Sequence, residues 1–291
     1  MSLTNKIDFA VVFGVKNANP NGDPLNGNRP RTTYENIGEV SDVCIKRKIR
    51  NRLMEKGVPI FVQSDDNKVD DYASLRSRAE GAKLPFNDAK KLQEEACKKW
   101  FDVRAFGQLF ALPSKKKGKR AEGDIEEGAG EDKGVSIGIR GPMSVQSAFS
   151  ITPVSITSTQ ITKSVSADDP KGGETRGSDT MGMKHRVDQG IYVFYGSMNP
   201  QLAVKTKFSD EDAKAIKSVL PRLFENDESS ARPAGSMEVL KVVWWQHNCP
   251  NGQASSAKVH RSLKVSVGAD MTVDVTCDKI NGLTPEFIDG Y

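Results

Sequence analysis

The sequence predicts an α+β protein in which helices cover one face of an antiparallel sheet, ferredoxin-like in its simplest form. Strand patterns alternate with helix patterns at both ends of the chain, which is typical of this class. The 291 residues, 37% of them apolar, suffice for one large domain or two small ones. Gly and Pro are frequent and aromatic residues are few, so we expect a single domain, 1–291, with long loops.

The first predicted elements are a strand, a loop and a helix. Apolar residues alternate from Ile7 to Val15 and predict the strand. Residues 17–33 are dense in Asn, Gly and Pro and predict a long, ordered or semi-ordered loop. A helix is predicted to begin after Ser41 and to extend to about Glu55. Apolar residues every four positions mark its buried stripe, at Ile45, Ile49 and Leu53.

The middle of the chain predicts a helix, strands and a charged loop. The helix extends from about Asn87 to Lys99, and strand-like apolar character follows from Trp100 to Leu112. Residues 114–134 have six basic and six acidic side chains and almost nothing apolar, so we predict a flexible, solvated loop. Ser147 to Thr157 and Gly190 to Gly196 are rich in β-branched and aromatic residues and predict strands.

Residues 157–186 connect these two strands and predict a polar loop of about 30 residues, a length that is usually functional or disordered. After them, Ser209 caps a predicted helix. Its apolar face consists of Ala213, Ile216, Leu220 and Phe224. A late strand is predicted from Met237 to Trp245, and one or two more within residues 258–276.

Composition excludes several classes of protein. The net charge is only +4, so an argument for nucleic-acid binding must rest on local clusters. The four cysteines are far apart and form no CxxC pair, which favours reduced cytosolic thiols. The N-terminus lacks the basic region of a signal peptide, and no apolar run reaches ~18 residues. We therefore expect a cytoplasmic protein with no membrane partner.

Sequence motifs of catalysis and cofactor binding are missing. The three histidines have neither HxxxH nor HExxH spacing, and no GxSxG, GxGxxG or P-loop is present. Carboxylate pairs such as Asp65–Asp66 are neighbours in predicted loops, where successive side chains point apart. We expect no catalytic residue, no metal and no cofactor.

Five basic residues fall between Lys46 and Arg52 in the first predicted helix. Lys46 and Arg50 share one face at i,i+4 spacing, where like charges repel by a few tenths of a kcal/mol. We expect this face to be exposed, so that an anionic partner would remove the repulsion. Amide groups near Ser41 could also bind a phosphate. An ordinary solvated basic face is an equal alternative.

Two further segments are cationic. The Asn- and Gly-rich loop ends in Arg29 and Arg31, whose planar guanidinium groups suit phosphate. The polar segment 157–186 ends in Lys184, His185 and Arg186. No strand has the aromatic pattern of an RRM stacking site. RNA binding would therefore depend on the phosphate backbone and tolerate many sequences.

Six short motifs between residue 7 and about 265 cover nearly the whole chain. They are NANPNGDP, SDVCIKRKIRNRL, FDVRAFG, RGPMSVQSAFSI, KHRVDQGIYVFYG and WWQHNCPNGQASSAK. They resemble, in the same order, the repeated backbone subunit of Cascade, the CRISPR surveillance complex, in its subtype I-C (Dvulg) form. Each motif is short, but six in the correct order make chance implausible.

The resemblance implies a modified RRM core with inserted fingers and a thumb, and a guide-RNA-binding subunit that is not an enzyme. Copies of the chain would stack into a helical filament along the CRISPR guide RNA. Other partners would be the processing or cap subunit, the large and small subunits and, through the complex, target DNA. Residues 157–186 would form the thumb, while the 114–134 insert has no assigned counterpart.

The same resemblance implies a set of RNA-binding residues. The first loop and helix contribute Lys16, Asn17, Asn19, Arg29, Arg31, Ser41, Lys46, Arg47 and Arg50. The region of the FGQL turn contributes Arg104, Gln108, Leu109 and Arg140. The thumb contributes Thr159, Gln160, Lys163, Lys184, His185 and Arg186.

Two other functions stay open from the sequence. Type III relatives of this fold resemble RNA-cutting enzymes that use a loop aspartate, and Asp23 is the nearest candidate for a metal-dependent ribonuclease. The Gly-Asp-Pro context favours a turn role for Asp23 instead. A capsid-like or filament protein without nucleic acid is the other alternative, which phosphate-dependent assembly would distinguish.

Overall fold

The computed structural model describes residues 1–112, 135–162, 181–268 and 272–291. The strands are β1 (Ile7–Ala18), β2 (Gly22–Asp23), β3 (Arg29–Pro30), β4 (Ile37–Val40), β5 (Gly107–Leu112), β6 (Val135–Arg140), β7 (Met143–Val145), β8 (Ala148–Pro153), β9 (Ile156–Thr162), β10 (Met181–Met198), β11 (Met237–Gln246), β12 (Leu263–Val267), β13 (Val273–Cys277) and β14 (Glu286–Asp289). The helices are α1 (Asp42–Glu55), α2 (Leu75–Gly81), α3 (Ala89–Lys99), α4 (Phe101–Phe106), α5 (Pro200–Thr206), α6 (Asp210–Val219) and α7 (Ser256–Ser262). Within these described ranges, no helix is long and apolar enough to cross a membrane.

A large antiparallel sheet forms the centre of the fold. Its strands lie in the order β14–β11–β1–β10–β8–β4, and β7 and β9 pair with other parts of β10. The long strand β10 has two parts. Residues 187–198 pair with β1, whereas residues 181–187 extend past this region and pair with β9 as a two-stranded hairpin. The hairpin therefore projects from the end of the sheet at which β1 finishes.

Both faces of β1 are covered, because its residues alternate between two apolar clusters. Phe9 and Phe13 point to the face that carries α1 and α6, where Phe13 stacks on Tyr192 with ring centroids 5.3 Å apart. Ala10 and Val12 point to the opposite face, which α7, β12 and β13 cover. Complete burial of a large apolar side chain contributes about 1.5–3 kcal/mol. β1 is thus a central strand, and the expectation that helices cover only one face is wrong, since α7 lies on the other.

A buried charge network joins α7 to the start of β1. Asp8 is fully buried, and its Oδ2 accepts a hydrogen bond from His247 Nε2 at 2.9 Å. The backbone N–H of Gln253 donates to His247 Nδ1, which fixes the proton of that ring on Nε2. Burial acts to raise the pKa of Asp8, but the hydrogen bond from His247 and the proximity of His260 and Ser256 on α7 outweigh it and hold the pKa far below its usual range. The carboxylate is therefore charged in the folded protein.

A second, smaller apolar unit is formed by α2, α3 and the β5–β6 ribbon. Phe61, Trp100 and Phe110 pack together at its centre, with ring centroids 4.6 Å and 5.2 Å apart for the two pairs that include Phe61. The short helix α4 links this unit to the main core, because Phe101 packs in the main cluster and Val103 in the smaller one.

The structure confirms most of the predicted elements. β1, α1, α3, α6 and β11 lie where the sequence patterns place them. Ser41 and Ser209 cap α1 and α6, and each accepts a backbone N–H at the start of its helix. The predicted apolar stripes of α1 and α6 are buried in the main core. The α+β class is confirmed as a large antiparallel sheet packed with helices, while the single-domain prediction stays a prediction.

The structure differs from the predicted secondary structure in four segments. Residues 101–106, predicted as strand, form α4, and residues 256–262, which overlap a predicted strand, form α7. The predicted loop 17–33 contains the β2–β3 ribbon, and both ends of the predicted loop 157–186 are strands of the β9–β10 hairpin. Ladder hydrogen bonds hold this hairpin, so its polar side chains give no burial pattern. The predicted flexible loop 114–134 lies outside the described residues, as do residues 163–180.

Candidate nucleic-acid interface

The basic residues of α1 are mostly engaged within the protein. Four of the five have a carboxylate partner, and these pairs are Lys46–Asp42, Lys48–Asp227, Arg50–Asp102 and Arg52–Glu55. Two of the carboxylates, Asp102 and Asp227, lie far away in the sequence. A buried cation needs such a partner, because an unpaired charge in the interior is costly.

Arg50 is the clearest case. Its Nε donates to Asp102 Oδ2 at 2.9 Å, and the two residues are only 8% and 1% exposed. The backbone N–H groups of Phe61 and Val62 donate to the same carboxylate at 2.7 Å and 3.0 Å. The expectation that Arg50 shares an exposed face with Lys46 is therefore wrong. Helical spacing predicts correctly that both side chains lie on the same side of α1, but Arg50 packs against Asp102 of the neighbouring helix α4 and is buried there.

Lys46 and Arg47 are the half-buried members of this group. Lys46 Nζ lies 2.8 Å from Asp42 Oδ2, one turn earlier on α1. Arg47 Nη1 donates to the carbonyl of Val62 at 2.7 Å. Burial, and then the charge of the nearby Arg50, lower the pKa of Arg47. Both side chains remain able to reach solvent.

Two other predicted arginines also have carboxylate partners. Arg104 binds Asp212 through two hydrogen bonds, from Nε at 2.9 Å and from Nη2 at 2.7 Å. This fork-to-carboxylate geometry is the strong, bidentate kind. Arg31 makes a longer contact, 3.4 Å from Nη2 to Asp23 Oδ1. Arg104 thus joins α4 to α6.

Ser41 and Asn19 stabilise the loop before α1. The hydroxyl and the backbone N–H of Ser41 both donate to Asn21 Oδ1, at 2.8 Å and 2.9 Å, and Ser41 Oγ accepts the N–H of Cys44. Asn19 is buried, with 4% of its surface exposed, and its Nδ2 donates to the carbonyl of Asn28 at 2.7 Å. These contacts fix the β2–β3 ribbon against the start of the helix.

The tertiary structure brings the other cationic segments together where the hairpin leaves the sheet. Arg29 on β3 donates from Nη1 to Ser158 Oγ on β9 at 3.1 Å. His185 Nδ1 on β10 lies 2.8 Å from the same hydroxyl oxygen, directly across the ladder. Lys184 and Arg186 flank His185 and point to the opposite face of the hairpin. We call Arg29, Ser158, Lys184, His185 and Arg186 the hairpin base.

The hairpin base differs from α1 in its charge balance. Among the described residues, Arg29 and Lys184 form no ion pair, and the pair between Arg186 and Asp188 is long, 3.7 Å. Asp188 also accepts a hydrogen bond from Thr157 at 3.0 Å. Among the described residues, positive charge at this end of the sheet is therefore not balanced by carboxylates, and it lies within reach of solvent.

Lys16 and Asn17 lie further along the same ladder. Lys16 is exposed and pairs with Gln189 across β1 and β10. Asn17 has a positive φ of 54°, a conformation that Asn tolerates better than most residues. Both side chains lie at the sheet end from which the hairpin projects, so they extend the polar surface of the hairpin base.

The remaining predicted positions are divided between two elements. Gln108, Leu109 and Arg140 lie on the β5–β6 ribbon, where Leu109 is 60% exposed and Arg140 pairs with Gly107. Thr159 and Gln160 lie on β9, opposite Lys184 and Met183. Lys163 lies outside the described residues.

Asp23 makes the contacts expected of a residue that stabilises a turn. Its Oδ1 accepts the N–H of Leu25 at 3.2 Å, as an N-cap does, and faces Arg31. In the part of the chain that the structure describes, no three His, Cys, Asp or Glu side chains group closely enough to hold a metal ion.

Sequence reasoning missed Ser158 and the carboxylates that pair with the α1 cations. Ser158 stands in a run of Ser, Thr and Gln with no distinguishing pattern, and only the β9–β10 register places it opposite His185. Asp102 and Asp227 give no local signal, because their partners are distant in sequence.

Comparison with known proteins identifies the family. A family model described as CRISPR-associated protein Cas7 matches residues 5–280. A curated relative from Haloferax volcanii, also described as CRISPR-associated protein Cas7, is 24% identical over 250 residues, which cover 83% of this chain and 71% of the relative. The family match spans nearly the whole chain, so this chain belongs to the Cas7 family of CRISPR-associated proteins.

Two solved structures are similar to this chain over most of its length. One is a chain of a CRISPR RNA-guided surveillance complex in a pre-nicking state, with a TM-score of 0.45, 15% identity, and coverage of 82% of this chain and 75% of that chain. The other, from a CRISPR RNA-guided surveillance complex, has a TM-score of 0.44, 16% identity, and coverage of 82% and 68%.

Proposed function

We propose that this Cas7-family chain is a non-catalytic backbone subunit of a Cascade-type CRISPR surveillance complex, of subtype I-C, and binds guide RNA along its length. The observation that carries the RNA-binding part is the hairpin base. There, Arg29 and Lys184 have no carboxylate partner among the described residues, although six other basic side chains of the predicted site region are paired: Arg31, Lys46, Lys48, Arg50, Arg52 and Arg104.

We infer that the core is a modified RRM. The strands β11, β1, β10 and β8 lie side by side in the sheet, and in chain order they are the fourth, first, third and second of these four; α1 follows the first strand and α6 follows the third. This is the βαββαβ arrangement of ferredoxin-like folds. In this proposal the unit of α2, α3 and β5–β6 is an insert between the first two core strands, and the β9–β10 hairpin is the thumb.

The mode of RNA binding follows from what covers the sheet. An RRM stacks bases on aromatic residues of its open sheet face. Here Val12 and Val193 on that face are buried under α7, β12 and β13. We therefore expect contacts to phosphate and sugar from the basic residues of the hairpin base and its surroundings, with weak sequence preference and strong salt dependence.

The assembly is part of the same proposal. Copies of the chain associate along one guide RNA, together with the processing or cap subunit and the large and small subunits. The complex supports recognition of target DNA, and its location is the cytoplasm. No catalytic role is proposed for Asp23, because its carboxylate caps a turn and contacts Arg31.

Co-purification tests the proposal. We expect the chain, expressed with a CRISPR array and its partner subunits, to carry RNA of uniform length. In binding assays on single-stranded RNA, the slope of log K against log salt should be about −0.7 for each phosphate contacted. A slope near zero, or assemblies that form equally well after complete removal of RNA, would favour a filament protein without nucleic acid.

A further inference from the structure

One hydroxyl group connects two separate segments at the hairpin base. Ser158 Oγ accepts a hydrogen bond from Arg29 Nη1 at 3.1 Å and lies 2.8 Å from His185 Nδ1. Arg29 belongs to the β2–β3 ribbon, 129 residues before Ser158 in the chain. His185 and Ser158 are directly opposite in the β9–β10 ladder. The ribbon and the hairpin therefore meet at this oxygen.

The chemistry of a hydroxyl suits this position. A serine hydroxyl has one proton to donate and two lone pairs that accept, whereas a guanidinium only donates. The contact with Arg29 thus uses one lone pair of Ser158, and His185 on the other side restricts how the hydroxyl can rotate. Arg29 has five N–H groups. One of them is held by Ser158, and the others can bind a ligand.

The partner of Arg29 is neutral, which sets it apart from the paired arginines of the molecule. Arg50 and Arg104 are oriented by the carboxylates of Asp102 and Asp212, which also cancel their charge. A hydroxyl orients a guanidinium and leaves its positive charge in place. Holding a long side chain in its binding conformation before the ligand arrives reduces the entropy that binding would cost.

We propose that Ser158 is a positioning residue for RNA binding: it holds the guanidinium of Arg29 ready for a phosphate of single-stranded RNA, and His185 fixes the hydroxyl of Ser158. This inference rests on the proposed function. It assigns to Ser158 an effect that acts through Arg29 and involves no contact of its own with the RNA.

A double-mutant cycle on RNA affinity tests the inference. The full chain is titrated with a fluorescein-labelled single-stranded RNA of mixed sequence, over a series of salt concentrations. We expect Arg29→Gln to reduce the magnitude of the salt slope by about 0.7, as loss of one phosphate contact does. Ser158→Ala should weaken binding about 3- to 10-fold, the value of one net hydrogen bond. In the Arg29→Gln background, Ser158→Ala should have no further effect, and Ser158→Thr should restore wild-type affinity.

A matched control removes a similar hydroxyl with no cation attached. Ser144 and Ser197 face each other across β7 and β10 with their Oγ atoms 2.9 Å apart. Ser144→Ala should leave RNA affinity unchanged, and the unfolding midpoint of Ser158→Ala should match that of Ser144→Ala.

The outcomes separate the inference from the proposed function. If wild type shows no salt-dependent RNA binding, the proposed function itself fails. The inference is wrong if wild type binds RNA but Ser158→Ala leaves the affinity unchanged. It is also wrong if Ser158→Ala weakens binding equally in the wild-type and Arg29→Gln backgrounds, because Ser158 then does not act through Arg29. A loss of affinity that Ser158→Thr does not restore would also overturn it.

Discussion

Helix α1 has five basic residues within seven positions, whereas the hairpin base gathers its basic residues from segments that are distant in the chain. In α1, four of the five side chains have carboxylate partners, and Arg47 donates to a backbone carbonyl. At the hairpin base, Arg29 contacts a neutral hydroxyl, and Lys184 is exposed. The density of cations along a sequence therefore does not measure the positive charge that a ligand can reach.

The charged side chains of α1 and those of the hairpin base have different roles. Arg50, Lys48 and Arg52 are buried, so their partners offset the cost of removing each charge from water. The pairs of Arg50 and Lys48 connect α1 to α4 and to the segment that contains Asp227, whereas the pair of Arg52 with Glu55 lies within α1. Lys184 is exposed on a two-stranded hairpin, where a cation that has no ion pair among the described residues costs little.

The largest expected effect is on stability, in α1. Arg50→Glu places a second carboxylate against Asp102, whose oxygens are already held by the N–H groups of Phe61 and Val62. Breaking a buried pair costs about 3–5 kcal/mol, and the new repulsion adds to it. We expect the free energy of unfolding to fall by at least that amount in urea titrations followed by circular dichroism.

Lys184→Glu is the control for this substitution, since it reverses a charge at an exposed position. Its free energy of unfolding should change by less than about 0.5 kcal/mol. If Arg50→Glu unfolds at the same urea concentration as wild type, the Arg50–Asp102 pair does not stabilise the protein, and the structural role assigned to the ion pairs of α1 is wrong.

The next effect is on RNA affinity, at the hairpin base. Arg29→Gln combined with Lys184→Gln removes two proposed phosphate contacts. The salt slope should lose about 1.4 in magnitude, and affinity at low salt should fall by roughly tenfold or more. Circular dichroism should remain native, because neither side chain is in an ion pair within the described residues.

Lys90→Gln with Lys91→Gln on α3 is the matched control, because it removes the same charge from another exposed surface. Its salt slope should equal that of wild type within error. If the two double variants lost the same amount of salt slope and affinity, RNA binding would depend on the net charge of the protein alone.

Lys46 provides a further test of the difference between α1 and the hairpin base, since it belongs to α1 but is only half buried. Its partner Asp42 is also partly exposed, and such i,i+4 pairs contribute about 0.3–0.5 kcal/mol. We expect Lys46→Gln to reduce the free energy of unfolding by no more than this and to weaken RNA binding by less than about threefold. A tenfold loss of affinity in the same titration would show that RNA displaces Asp42 and that α1 takes part in binding.

The smallest effect is expected at Asp23. Asn is as good an N-cap as Asp, so Asp23→Asn should change the free energy of unfolding by less than about 1 kcal/mol. Labelled RNA incubated with either protein and Mg²⁺ or Mn²⁺ should stay intact on a denaturing gel. Cleavage by wild type that disappears in Asp23→Asn would establish the ribonuclease alternative.

Elements with local signals were predictable from the sequence. α1 begins at the cap Ser41 and is followed by Gly57, which has a φ of +74°, a conformation that suits glycine. Its apolar residues recur every four positions. α4 was not predictable in this way, because its aromatic and β-branched residues favour a strand, and helical geometry there is supported by distant contacts such as Arg104 with Asp212.

Local sequence patterns were enough to predict the central strands and the helices with caps and buried stripes, and they also contain the motifs that resemble the Cascade backbone subunit. These features depend on residues within a few positions of one another. Which cations lack a carboxylate partner among the described residues depends on contacts that the tertiary structure makes. The carboxylates that pair with Arg50, Arg104 and Lys48 lie 52, 108 and 179 positions away. Electrostatic attraction acts through space, so the order of residues along the chain carries no direct record of which charges meet.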